Sequence, residues 1–159
     1  MIEKKHFRAH VLVVDDNPTD AMMLEGGLQI VDCTVDVADN ANIDEIIKHS
    51  YDIIFLDINM PGEDGLTIAD KIRRSATPNR RTPIIAVSGN SFNQNQIIDC
   101  LENGLDGYLE KPAAMNELIK ILCEFIPDKE VIIENIARDG EVRLKGFYRK
   151  QKRPNRLTE

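Results

Sequence analysis

Three carboxylates in this sequence stand directly after apolar runs. Asp15 and Asp16 follow Val11-Leu-Val-Val14, and Asp57 follows Ile53-Ile-Phe-Leu56. Ser88 closes Pro83-Ile-Ile-Ala-Val87 in the same way, and Lys111 comes just after the shorter run Gly107-Tyr-Leu109. Crowded carboxylates repel one another unless a cation sits among them, and hard oxygen donors with positions left for water and phosphate suit Mg2+. A hydroxyl and an ammonium beside such a cluster make a place for a tetrahedral oxyanion, whose charge the metal and the lysine neutralise. The nucleophile is then a carboxylate, as in aspartyl-phosphate chemistry.

Each of these residues has a blander explanation on its own. An Asp-Asp pair after a strand is commonly a helix cap or turn, Asp57 could simply open a loop, and Ser88-Gly89 and Lys111-Pro112 read as turn dipeptides. Their joint placement at four successive strand ends is what calls for a site. Asp52 and Asp106, by contrast, precede apolar runs and read as turn or cap residues.

The elements that must carry the site follow from periodicity. Continuous apolar runs are strands buried on both faces of a parallel sheet, whereas Cys33-Thr-Val-Asp-Val37 alternates as a half-exposed edge strand does. Between the runs, apolar residues recur at helical spacing: Leu24 and Leu28; Ile43, Ile46 and Ile47; Leu66, Ala69 and Ile72; Ile97, Ile98 and Leu101. The fifth stripe, Met115, Leu118, Ile119, Leu122 and Phe125-Ile126, lies between Pro112 and Pro127. Strand and helix alternate five times, which predicts an α/β domain with helices on both faces of the sheet and right-handed crossovers. In such a sheet ligands bind beyond the carboxyl ends of the strands, where Asp15, Asp16 and Asp57 should meet. Gly26-Gly27 inside the first stripe predicts a bend or fraying, at about 1 kcal/mol per glycine relative to alanine.

Composition narrows the function classes. With 159 residues, 42% of them hydrophobic and 30% charged, the chain suits one globular domain with a short appendage. Twenty Lys+Arg against 27 Asp+Glu give a formal charge of −7, a poor basis for wrapping nucleic acid. No apolar run approaches the roughly 20 residues needed to cross a bilayer, so the chain is read as cytoplasmic and without a membrane partner. Cys33, Cys100 and Cys123 are too scattered for a zinc site or a disulfide framework and read as small buried groups. His6, His10 and His49 lie away from the strand ends and read as surface or packing residues. Charge is uneven: residues 128–159 hold nine Lys+Arg and six Asp+Glu, leaving −10 on the first 127. In this tail Asp139-Gly140 favours a hairpin with Arg138 opposite Glu141 and Glu134 opposite Lys145; a helix from Asp128 to Gly140 is the competing reading. Disorder is expected beyond Phe147-Tyr148.

The motifs Val13-Val-Asp-Asp-Asn-Pro18, Phe55-Leu-Asp-Ile-Asn-Met-Pro-Gly62 with Asp64-Gly65, Pro83-Ile-Ile-Ala-Val-Ser88, and Gly107-Tyr-Leu-Glu-Lys-Pro112 resemble the receiver domain of two-component response regulators, in order and in register. The resemblance covers about residues 8 to 126 and leaves 127–159 as a basic tail or linker. It implies a flavodoxin-like, doubly wound, five-stranded parallel sheet in the order 2-1-3-4-5. It also implies Asp57 as phosphoacceptor, Mg2+ bound by Asp15, Asp16, Asp57 and the backbone carbonyl of Asn59, and Lys111 as counter-charge to the phosphate, with a cis peptide at Lys111-Pro112. Ser88 and Tyr108 fall at the hydroxyl and aromatic switch positions. The wording of the first and third motifs leans toward hybrid kinases and phosphorelays.

The expected function is therefore two-component signalling without enzymatic turnover of a separate substrate. A sensor histidine kinase or histidine phosphotransfer domain would donate the phosphoryl group. The sequence does not name the output partner, and a dimer is compatible with the reading. Two alternatives come from other classes. One is the N-terminal part of a DNA-binding transcriptional regulator, its tail carrying seven Lys+Arg and one Glu over residues 142–159. The other is an aspartyl-phosphate hydrolase, against which Asn59 counts, since such enzymes place a second acid two residues after the nucleophile.

Overall fold

The computed structural model describes residues 5–40, 42–62, 64–136 and 142–145. Five strands, β2 (His10–Val14), β3 (Thr34–Ala38), β4 (Ile53–Asp57), β5 (Ile84–Ser88) and β6 (Gly107–Glu110), form a parallel sheet in the order β3-β2-β4-β5-β6. This is the expected 2-1-3-4-5 topology, with every label raised by one because a two-residue strand, β1 (His6–Phe7), precedes it. Helices α1 (Pro18–Ile30), α2 (Ile43–Ile46), α3 (Gly65–Arg74) and α4 (Gln94–Glu102) fill the four crossovers, and α5 (Met115–Phe125) follows the last strand.

The continuous runs are strands because both faces of the sheet are covered. Val11, Val13, Ile53, Phe55, Ile85 and Val87 join Leu28 of α1 and Leu118 and Leu122 of α5 in one core. Their sequence neighbours Leu12, Val14, Ile54, Leu56, Ile84 and Ala86 join Ile68 and Ile72 of α3 and Cys100 of α4 in the other. Alternate side chains of a strand point to opposite faces, so a strand between two helix layers must be apolar throughout. Burying each such Val, Leu, Ile or Phe contributes roughly 1.5–3 kcal/mol. Strand β3 lies at the sheet edge, as expected, but only Ala38 is buried: Val35 is half-buried and Val37 exposed, so burial does not follow the alternation of its valines.

Two helices differ from their stripes. Helix α2 is a single turn, because only Ile43 and Ile47 of its stripe are buried before the polar Lys48-His49-Ser50, and Asn42 makes no side-chain cap. Helix α1 runs unbroken through Gly26 and Gly27. The reason lies in packing: a β-carbon on Gly27 would stand 3.2 Å from Leu118 Cδ2 and 3.3 Å from Met115 Sδ of α5, so the missing side chain lets the two helices close on each other.

Asp52 and Asp106 lie just before β4 and β6 and accept from the N–H groups that begin the adjacent strands, His10 N and Ile84 N, at 2.8 Å each. His10 pairs with Asp36 and lies against the Tyr51 ring, and His6 pairs with Asp32, all away from the strand ends that carry the acids.

Beyond α5, a 3-10 turn (Pro127–Lys129) leads into β7 (Glu130–Ile136), which pairs antiparallel with β1 and with β8 (Val142–Lys145). The second sheet therefore ties the segment before β2 to the segment after α5, with Arg8 N donating to Lys129 O at 2.8 Å and Phe7 wholly buried in the core. A strand replaces the competing helix through Ile136. Lys145 faces Ile132 and not Glu134, because the ladder shifts register between Ile133 and Ile136. The Asp139-Gly140 turn, its Arg138 and Glu141 neighbours, and the stretch beyond Phe147-Tyr148 lie outside the described residues.

Candidate functional site

Strands β2, β4 and β5 end in the same local device. Asp15 Oδ1 accepts from Asn17 N at 2.9 Å, Asp57 Oδ1 from Asn59 N at 2.8 Å, and Ser88 Oγ from Asn90 N at 3.1 Å. Each side chain turns back onto the N–H two residues ahead, which fixes one oxygen and, for the two acids, aims the other across the strand ends. Asp15, Asp57 and Ser88 are all buried, at 7%, 8% and 2% exposure. Asn17, not the acid pair, caps α1, accepting from Thr19 N and Asp20 N.

Lys111 enters this cluster from the end of β6. Its Nζ donates to Asp15 Oδ2 at 2.7 Å and to Asp57 Oδ2 and Asp20 Oδ2 at 3.0 Å each. The cis Lys111-Pro112 peptide is present, and Lys111 N donates to Ser88 O at 2.8 Å, so backbone and side chain both tie β6 to the site. Burial works to lower the lysine pKa, but the three carboxylates outweigh it and raise it, keeping the ammonium charged. Burial, helped by the charge of Asp57, raises the Asp15 carboxyl against the opposing bonds from Lys111 and Asn17 N.

Asp16 is engaged elsewhere, both of its oxygens accepting from Asn40 at 3.1 Å. Asn59 donates its side-chain Nδ2 to Ser88 Oγ at 2.7 Å. Tyr108 stays on the outside, 47% exposed, its ring 4.9 Å from that of Phe92. The structure thus gathers Asp15, Asp57 and Lys111 directly, with Ser88 and Asn59 beside them, Asp16 next to the group and Tyr108 apart from it.

Gly65 sets how closely α3 approaches. A β-carbon there would stand 2.4 Å from Asp57 O and 2.6 Å from Ile58 Cα, so only glycine lets the helix start against the end of β4. Asp20 and Asn40 were not singled out by the sequence reading. Asp20 could have been found, since it lies three residues after the Asn17 cap, in the first turn of a helix that begins at the site. Nothing local marks Asn40, whose contacts reach Asp16 and Pro61 across 24 and 21 residues.

Among the described residues no three acidic, His or Cys side chains already converge at metal-ligand spacing; Lys111 stands between Asp15 and Asp57, and Asn40 holds Asp16. The donors themselves are all oxygens, most of them carboxylates, and they fit a hard cation in kind. Asn40 Oδ1, buried and with no hydrogen-bond partner among the described residues, is a further unspent oxygen beside Asp16.

A family model, the response regulator receiver domain, matches residues 11–123. The chain is 33% identical over 127 residues to the transcription factor SKN7 of Saccharomyces cerevisiae, covering 79% of this chain and 20% of that protein. It is 39% identical over 124 residues to hybrid signal transduction histidine kinase L of Dictyostelium discoideum, covering 72% and 7%. This chain therefore spans a fifth or less of each. Among solved structures it is similar to the receiver domain of sensor histidine kinase PA1611 from Pseudomonas aeruginosa, which carries a magnesium ion in its active-site cleft. That likeness has a TM-score of 0.66 and 31% identity over 76% of this chain and 98% of the other.

Proposed function

This chain belongs to the family of response regulator receiver domains of two-component systems, and we propose that it accepts a phosphoryl group on Asp57 from a phosphohistidine of a sensor histidine kinase or histidine phosphotransfer domain, with Mg2+ as cofactor. The observation that carries this reading is the Lys111 ammonium 3.0 Å from a buried carboxylate at the end of a central strand. A carboxylate oxygen of Asp57 forms the new P–O bond as the P–N bond breaks, and the imidazole leaves with the electron pair. Asp15, Asp16 and the Asn59 carbonyl, with Asp57, would hold Mg2+, which supplies charge neutralisation for the phosphoryl oxygens. Lys111 redirects donors now given to carboxylates toward the phosphoryl group, and the Ser88 hydroxyl donates to another of its oxygens.

The protein's chemistry is confined to gaining and losing its own phosphoryl group. The phosphoacceptor unit is residues 8–126 and the tail is 127–159, a reading supported by the position of every site residue before Pro127. No helix among the described residues is long and apolar enough to cross a membrane.

The test is incubation with phosphoramidate, with and without Mg2+, followed by intact mass. The expected result is a Mg2+-dependent increment of one phosphoryl group that hydroxylamine removes and that Asp57→Asn abolishes. An increment that persists in Asp57→Asn overturns the assignment.

A further inference from the structure

Asn40, in the loop between β3 and α2, touches the site at more points than its position outside every motif suggests. Its backbone N donates to Asp16 Oδ1 and its side-chain Nδ2 to Asp16 Oδ2, both at 3.1 Å, so one residue holds both oxygens of one carboxylate. The same Nδ2 donates to Pro61 O at 2.8 Å, in the loop that leaves Asp57 for α3. These contacts settle which way the amide faces. Turning it over would set its oxygen against the Asp16 carboxylate and the Pro61 carbonyl, three acceptors with no proton between them. Asn40 Oδ1 must then point away from both, and it is buried there with no partner among the described residues.

A carboxylate oxygen can accept more than one hydrogen bond, so each Asp16 oxygen, though held by Asn40, keeps a lone pair for a cation or its waters. We propose that Asn40 is a positioning residue of the Mg2+ site: it orients Asp16 through two N–H groups, one from the backbone and one from the side-chain amide. The bond to Pro61 links that orientation to the loop carrying Asn59, so the metal-binding acids of β2 and β4 are set relative to each other. The inference rests on the Mg2+ reading of the proposed function.

Mg2+ binding measured by calorimetry on the full chain, with MgCl2 as the probe and no phosphodonor, tests it. Asn40→Ala should weaken Mg2+ binding about tenfold, the lower end of what loss of a ligand-orienting partner costs. Asn40→Asp, which keeps the shape and the backbone N–H but puts an acceptor where the side-chain donor to Asp16 was, should weaken it comparably. On an Asp16→Asn background Asn40→Ala should change Mg2+ affinity less than twofold, because the residue acts through Asp16. Unchanged Mg2+ affinity in Asn40→Ala and Asn40→Asp, with only the melting temperature lowered, overturns the proposal. So does a full tenfold loss on the Asp16→Asn background. If the wild-type chain itself takes up no Mg2+, the cofactor reading fails first and the inference falls with it.

Discussion

Asp20 Oδ2 lies 3.0 Å from Lys111 Nζ, the same separation as Asp57 Oδ2, so Asp57 shares its lysine with an acid from the first turn of α1. An ammonium has three N–H donors, and Asp15, Asp20 and Asp57 take all three. Asp20 also sits where a helix favours negative charge. Substitution by asparagine keeps an acceptor for Lys111 and removes one negative charge from a site that must admit a phosphate dianion. Asp20→Asn should therefore speed phosphorylation of Asp57 by small donors about fivefold at low salt and saturating Mg2+, the factor given by roughly 1 kcal/mol of relieved repulsion. The gain should shrink as salt screens it. A slower reaction would show that the charge of Asp20 is needed to hold Lys111.

The glycine pair of α1 gives a prediction of opposite signs at adjacent positions. Nothing lies within 4 Å of a β-carbon on Gly26, while one on Gly27 meets Leu118 and Met115. Gly26→Ala should stabilise the protein by about 0.5–1 kcal/mol through reduced unfolded-state entropy. Gly27→Ala should gain nothing or lose 1 kcal/mol or more, because α5 must give way. Chemical denaturation of the two variants decides it. Equal stabilisation of both would mean that α1 and α5 are not held as closely as described.

How much of this was legible in the sequence depends on how local each signal is. Strand order came from the resemblance to the receiver family, whereas the convergence of Asp15, Asp57 and Lys111 followed from apolar runs ending in polar residues, a pattern set by burial on both faces of the sheet. The length of α2 did not, since Ile43, Ile46 and Ile47 carry helical spacing over barely one turn. Nor did the β1–β7 pairing, because His6-Phe7 is too short to show a strand period and its partner lies more than 120 residues away. Asn40 and the Gly27 contact are tertiary facts. Only the packing of distant elements reveals why an amide or a missing side chain is needed there.

Burial, with a smaller contribution from the charge of Asp52, pushes the Cys33 thiol up to about 11 from an ordinary 9.0. Since the folded-state value is the higher one, the stabilising contribution is complete below pH 9 and is lost as pH rises from 9 through about 11. At 1.36 kcal/mol per unit the whole effect is about 2–3 kcal/mol. In alkaline titration of unfolding free energy, the difference between wild type and Cys33→Ala should narrow by that order over this window. A constant difference would mean that the thiol is accessible in the folded protein.

Signalling from the site should run through Ser88. Its Oγ already accepts from Asn59 Nδ2 and Asn90 N, which uses both lone pairs and leaves the hydroxyl proton as the group it can still offer. Phosphoryl oxygens on Asp57 are strong acceptors for that proton. Drawing Ser88 toward them vacates space beside β6, where Tyr108 is now 47% exposed against Phe92. The ring should then turn inward and change the surface formed by α4, β6 and α5. This is a population shift, so the phosphoryl group must favour the inward state by the few kcal/mol that separate the two. Ser88→Ala should still accept phosphate on Asp57, because neither nucleophile nor lysine is altered, but its Tyr108 response should be weaker. Asn59→Ala removes the amide that holds Ser88 in place and should raise the inward population of the unphosphorylated protein severalfold, roughly what one hydrogen bond of about 1 kcal/mol is worth. Ring resonances of Tyr108, recorded with and without beryllofluoride as phosphoryl mimic, measure all three proteins. A wild-type ring indifferent to the mimic, or a Ser88→Ala ring that responds as fully as wild type, would show that Tyr108 is not coupled to Asp57 through Ser88.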